Sequence, residues 1–383
     1  MSKRIDDLLR MALSFGASDI HLRAGSYPII RVNGDLRPVT SVERLNQEET
    51  LEMAFSMMSN RQKILFKETF EVDIGYGVSG LGRFRVNIFQ QRSSVGIVAR
   101  VISDKISSFS ELGLPLPLAE IADEQRGLVL VTGSNGMGKS TTVAAIIDHI
   151  NSTRAEHIVT IEDPIEVLHK DKKSYVTQRE VDVDTRSFSD ALRGAVRQDP
   201  DVIMVGDFHD PETIETALHA AETGQLIIGT MGTFDATETI AKIINSFPDY
   251  QQRTIRIQLA GLLKAIVSQR LLRTPKGGRR TPAVEILRTS EAVRECILYP
   301  EKTIHLREAL SSTTSTLGTQ TFDQSLLYLY QSGLISLDEA LRIAGDPDDF
   351  RVRLTGIPKD VEDDDREISV EAPETRSEVL LPK

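Results

Sequence analysis

The stretch GLVLVTGSNGMGKSTTVAAIIDHIN, Gly127 to Asn151, narrows the possible folds more than any other part of the chain. An apolar, β-branched run ends at Gly133, a glycine-rich loop follows, and STTVAAIIDHIN carries helical spacing. Gly133, Gly138, Lys139 and Ser140 meet the pattern G-x-x-x-x-G-K-[ST] in the strand-to-helix setting that a phosphate-binding loop needs. Glycines let the backbone curl until several N–H groups face one phosphate, and the helix that follows adds its positive end. The cradle expected here is Gly133, Ser134, Gly136, Gly138, Lys139, Ser140 and Thr141. Lys139 supplies the point charge, and the Ser140 hydroxyl is placed to meet Mg²⁺ beside the phosphates. Asn135 and Met137 are unusual inside such a loop, but both keep a backbone N–H to donate, so phosphate binding is expected to survive them.

Around that loop, short apolar strands alternate with helical segments. GLVLVTG, HIVTIED, DVIMVGD and QLIIGTM are each followed by polar residues and then helical spacing, the pattern of a parallel sheet flanked by helices. Ligands of such sheets lie beyond the carboxyl ends of the strands. Those ends carry Gly133, Glu162 with Asp163, Asp207, and Thr230. Residues 1–105 read instead as a small α+β domain: an amphipathic first helix, strands around the turn Asn33-Gly34, one helix from Asn46 to about Phe66, then further strands. Residues 106–126 contain two prolines and read as a linker plus a short helix. The core is expected over 127–288 and a helical region over 289–358. Residues 359–383, acidic and without aromatics, read as a disordered tail.

Charge and cysteine content remove several function classes. A net charge of −11 argues against a general nucleic-acid binder, because neutralising a phosphate backbone needs a basic surface. A single cysteine, Cys296, excludes an internal disulfide framework and any multi-cysteine zinc site, and reads as a plain helix residue. No uncharged apolar run is long enough to span a bilayer, and the first residues do not read as a signal peptide, so a cytoplasmic protein is expected.

Phosphoryl transfer to water needs a clamp on the phosphates, a metal, and a carboxylate that orients or deprotonates the water. Glu162 in TIEDPIE is the candidate for the water, with Asp163 beside it as a further carboxylate for the metal. Asp207 in DVIMVGD has the apolar-strand-then-acid form suited to holding Mg²⁺ directly or through water. Arg85 and Arg100 stand on late strands of the first domain, where either could stabilise phosphate charge at a nucleotide bound between domains or subunits. Each also reads as a solvated strand arginine.

The segments GASDIHLRAG, PIIRVNGDLRPV, GRFRVNIFQQR, VTGSNGMGKSTT, IVTIEDPIEVLH, DPETIETALHAAETGQLIIGT and TFDQSLLYLYQSGLISLDEAL, in that order, resemble the type IV pilus retraction ATPases. These are the PilT- and PilU-like twitching-motility proteins of the secretion ATPase superfamily. The resemblance runs from about residue 5 to 350. It implies a hexameric motor whose PAS-like N-terminal domain and RecA-like C-terminal domain sandwich ATP. It also implies action at the cytoplasmic face of the inner membrane, on a pilus platform protein, with a paralogous ATPase as a further partner. On the family's pattern Glu162 is the general base, Arg85 and Arg100 are the paired arginines that reach the nucleotide, and Gly133, Lys139, Ser140 and Thr141 belong to the phosphate loop.

Departures from that pattern gather at the site. The family usually has Thr at the position of Asn135, and often Ser or Thr at that of Met137. Its second acidic motif usually reads Gly-Glu, a hydrophobic residue, then Arg, where this chain has VGDFHD. Its histidine box reads roughly Gly-Thr-Leu-His-Thr, where this chain has GTMGT and Gly232 stands in the histidine's place. His209 and His219 lie nearby in sequence without matching it. Two readings result: an ATPase motor with attenuated hydrolysis, or a nucleotide-binding, hydrolysis-deficient accessory subunit acting with an active paralogue. A pilus-assembly or secretion ATPase is disfavoured, because those commonly carry a four-cysteine zinc insertion.

Overall fold

The computed structural model describes residues 4–102, 105–275, 280–312 and 318–355. The segment 359–383, read above as a disordered tail, lies outside the described residues. The N-terminal part runs α1 (Ile5–Ser14), β1 (Asp19–Arg23), β2 (Ile29–Val32), β3 (Asp35–Pro38), α2 (Gln47–Met57), α3 (Asn60–Thr69), β4 (Glu71–Val78), β5 (Gly82–Gln91) and β6 (Ser94–Ile102). Its strands form one antiparallel sheet in the order β3-β2-β1-β6-β5-β4. Alternation decides the faces: Phe84, Val86 and Ile88 of β5 are buried with Leu8 and Leu9 of α1 and Met53 of α2. Arg83 and Arg85 therefore point to the other face, and Arg85 sits directly across from Arg100 of β6 and Gly75 of β4.

The single helix expected from Asn46 to about Phe66 is two helices. Met58 is extended, and Ser59 opens a new N-terminus. Its hydroxyl accepts from Gln62 N at 3.3 Å, while Gln62 Oε1 accepts from Ser59 N at 2.9 Å. This reciprocal cap satisfies two orphan donors and stabilises a break that hydrophobic periodicity runs straight through.

The core continues with α4 (Pro117–Ala122), β7 (Gly127–Thr132), α5 (Lys139–Thr153), β8 (His157–Glu162), β9 (Tyr175–Glu180), α6 (Phe188–Ala195), β10 (Val202–Val205), α7 (Pro211–Glu222), β11 (Leu226–Met231), α8 (Ala236–Asn245), α9 (Asp249–Leu262), β12 (Leu263–Arg273) and β13 (Arg280–Arg288). The strand order is β13-β12-β7-β11-β10-β8-β9. Every neighbouring pair is parallel except β12 with β13. The parallel sheet thus carries an antiparallel edge, because the chain returns after residues 274–279, too few for a crossover helix. All residues of β7, β10 and β11 are buried, as strands covered by helices on both faces must be. In the stretch read as a linker, Leu118, Ile121 and Ala122 of α4 pack with Val143, Ile146 and Ile150 of α5 over one face of this sheet.

Helices α10 (Glu291–Leu298), α11 (Leu306–Ser312), α12 (Phe322–Gln331), α13 (Leu337–Ile343) and α14 (Pro347–Thr355) complete the described chain. Cys296 is buried in α10. Phe322, Leu326, Ala340 and Phe350 of α12–α14 pack on Leu272 and Ala283 of the β12–β13 hairpin. Arg270 Nη1 donates to Ile343 O at 3.3 Å and Arg273 N to Glu339 Oε1 at 3.2 Å, which ties α13 to β12.

Candidate active site

The phosphate loop follows β7, the strand between β12 and β11, and α5 begins at Lys139. Gly133 (φ 149°) and Gly138 (φ 86°) take conformations that side chains resist. Space is closed to them as well. A Cβ at Gly133 would lie 2.6 Å from Gln269 O, and one at Gly138 would lie 2.8 Å from Gln269 Nε2. Gln269 of β12 also accepts from Thr142 Oγ1 at 2.6 Å, so the loop is moulded onto β12. Two further contacts pin it: Leu271 N donates to Met137 Sδ at 3.3 Å, and Arg280 Nη1 donates to Gly136 O at 3.3 Å. The unusual Met137 is therefore a strut between loop and sheet.

Lys139 Nζ donates to Gly133 O at 2.7 Å and Ser134 O at 3.3 Å. Burial lowers its pKa, against the opposing pull of Asp207 and Glu166. Ser140 opens onto a cavity also lined by Glu162, Asp163, Glu166, Gly206 and Thr230. Thr141 is exposed on the same turn. The ends of β8, β10 and β11 thus meet the first turn of α5, where the sheet pattern expects a ligand.

Glu162 is buried at the end of β8. Its Oε1 accepts from Thr160 Oγ1 at 2.6 Å and Gln178 Nε2 at 2.9 Å, and its Oε2 faces Glu166 N at 3.4 Å. Desolvation raises its pKa, although these hydrogen bonds favour the charged form. Asp163 is raised by burial and by the Asp182 and Glu180 carboxylates, against the pull of Arg85. Asp207 is half exposed, with Oδ2 3.6 Å from His209 Nδ1. Phe208 turns inward and its ring fills the space above Gly229.

Arg85 and Arg100 separate in their engagements. Arg85 is exposed, and its charge reaches Asp163. Arg100 donates Nε to the buried Asp19 carboxylate at 2.7 Å, so β1 holds it beside Arg85. Gly232 is exposed after β11.

Four residues at the site escape the sequence reading. Gln178 and Glu180 project from β9, a strand whose sequence YVTQRE lacks the apolar run of its neighbours. Arg83 Nη2 donates to Glu180 Oε2 at 2.6 Å across the domains. His169 lines the cavity with its pKa pushed down to about 4 by burial, and its Nδ1 is buried without a partner among the described residues. The capping logic and apolar periodicity that locate elements carry no signal for such polar groups.

A glycine cradle after a central parallel strand, a lysine and a serine at its mouth, and a buried carboxylate at the next strand end define a P-loop ATPase. An antiparallel N-terminal domain meets the core beside that site through the Arg83–Glu180 pair. Residues 1–325 match the family described as Type II/IV secretion system protein, and the chain belongs to that family. It is 42% identical over 346 residues to the type IV pilus retraction ATPase PilT of Pseudomonas aeruginosa, covering 90% of this chain and 99% of that one. It is 39% identical over 349 residues to the type IV pilus ATPase PilU of the same organism, covering 91% of each. A crystal structure of the pilus retraction motor PilT with bound ADP aligns with a TM-score of 0.81 at 45% identity, covering 91% of this chain and 98% of the other. The chain has the fold of these proteins and is an ATPase.

Proposed function

We propose that the chain is an ATP-hydrolysing motor subunit that drives type IV pilus retraction with attenuated turnover. Glu162 carries this reading, because it is a buried carboxylate opening onto the same cavity as Ser140. Its raised pKa makes it a better proton acceptor than a surface carboxylate, and Thr160 and Gln178 fix its orientation. The loop N–H groups and Lys139 would bind the phosphates of ATP. Arg85 would approach them from the N-terminal sheet, with Arg100 held next to it by Asp19.

The donors also fit Mg²⁺. Among the described residues no three His, Cys, Asp or Glu side chains group as a metal site. Mg²⁺ in nucleotide sites needs only one or two protein ligands besides phosphates and water, and Ser140 with Asp207 would provide them, with Asp163 nearby. When bound, the ion neutralises charge on the phosphates. Attenuation follows from Asp207, one methylene shorter than the family's glutamate, and from Gly232, which brings no imidazole.

The active form in this reading is a homo-hexamer at the cytoplasmic face of the inner membrane, working on a pilus platform protein and beside a paralogous ATPase. No helix among the described residues is long and apolar enough to cross a membrane. Phosphate release by the purified protein tests the reading. Glu162→Gln is expected to lower turnover about 10²–10⁴-fold with binding of an ATP analogue retained, while Lys139→Ala loses that binding. Wild-type turnover no faster than that of Glu162→Gln would sink it.

A further inference from the structure

β4 and β5 of the N-terminal sheet meet the core beside the turn that follows Glu162. Arg83 Nη2 donates to Glu180 Oε2 at 2.6 Å, with the carboxylate 3% and the guanidinium 20% exposed. The same Glu180 oxygen accepts the N–H of Ile165 at 3.0 Å. Two residues earlier on β9, Gln178 donates to Glu162 Oε1 and to Val167 O, each at 2.9 Å. Together Gln178 and Glu180 hold the turn Asp163–Val167 at its middle and its far end, and Glu162 just before it. Gly75 of β4 lies over the ion pair: an added Cβ would fall against Glu180 Oε1 and within 2.6 Å of Arg83 Nη2.

A buried ion pair is a weak source of stability, because removing two charges from water offsets most of their attraction. This one is also incompletely satisfied, since Arg83 Nε is buried without a partner among the described residues. Such a contact is better suited to being made and broken than to holding a fold. Arg85 lies two residues along β5 on the same face as Arg83, so the one strand carries both.

We propose that Arg83 and Glu180 are positioning residues whose ion pair forms as the N-terminal sheet closes on the nucleotide site and sets the Asp163–Val167 turn, and through it Glu162, for hydrolysis. The proposal deepens the motor reading and rests on it. Closure over the site and placement of the base then become one event, and a subunit whose sheet stands open hydrolyses slowly even with ATP bound.

Two readouts on the full chain test this. The first is kcat and KM for phosphate release in Arg83→Gln, Arg83→Lys, Glu180→Gln and the double variant Arg83→Gln with Glu180→Gln. The second is the distance change on adding a non-hydrolysable ATP analogue, between labels at Glu48→Cys and Glu215→Cys in a Cys296→Ala background. Each glutamine variant is expected to lower kcat about ten- to a hundredfold, with KM moved less than about threefold. The double variant should be no slower than the worse single one, and Arg83→Lys should recover part of the rate. Analogue-driven closure should be lost in both glutamine variants.

Unchanged kcat, single effects that multiply in the double variant, or undiminished closure would each overturn the proposal. Gly75→Ala leaves both charges in place and wedges between them, so it serves if Glu180→Gln does not fold; a wild-type kcat there also counts against the pair. A wild-type protein that releases no phosphate defeats the motor reading instead, and the closure readout still decides the role of the pair.

Discussion

At Gly232 a Cβ would meet nothing within 4 Å, whereas at Gly229, three residues earlier, it would collide with the Phe208 ring. One glycine is required by packing; the other is open. A Cβ at position 232 therefore meets no steric barrier, and nothing in the packing around that atom explains why the chain lacks a histidine there. Gly232→His is expected to raise steady-state phosphate release about tenfold, and Asp207→Glu to add to it, since Asp207 is half exposed. Unaltered turnover in the combined variant would place the slow step elsewhere. Residues of the phosphate loop are legible because seven of them are contiguous or nearly so, and each has a backbone reason to be there. Arg83 and Glu180 are 97 residues apart, and neither carries a local pattern that announces the other.

Among the elements, β13 brings one carboxylate into the core. Glu285 Oε1 accepts the first free N–H of α8, Ala236 N, at 3.0 Å. Burial, with a contribution from Asp235, pushes Glu285 up to about 7 from its ordinary 4.5. The folded chain thus holds a proton that the unfolded chain has released across that interval. This stabilisation is complete below the unfolded value and is lost as pH rises through about 7. Glu285→Gln keeps the acceptor and removes the titration. Relative to that variant, the wild type should lose up to about 3 kcal/mol of stability as pH climbs from 5 to 8, seen as a wild-type thermal midpoint that falls away below that of Glu285→Gln. Parallel midpoints would refute it.

Legibility at this scale follows burial. β7, β8, β10 and β11 are β-branched runs covered on both faces, and the sequence displays them plainly. β9 is hidden because its side chains serve the site rather than the core. The break between α2 and α3 is written only in Ser59 and Gln62, a signal of capping and not of periodicity.

For the molecule as a whole, the proposed approach of Arg85 to a nucleotide on the core would suit a ring, since a repeating heterologous interface closes on itself. Light scattering at micromolar protein with an ATP analogue and Mg²⁺ is expected to report six copies, and a monomer alone would count against this arrangement. β12 adds a mechanical consequence. Gln269 and Leu271 of that strand grip the phosphate loop, while Arg270 and Arg273 grip α13. A strand is stiff along its length, so the two grips share one rod with no slack between them. Tension applied to the C-terminal helices is borne at the phosphate loop directly, like load passing down a tendon to its anchorage, without first travelling through the nucleotide.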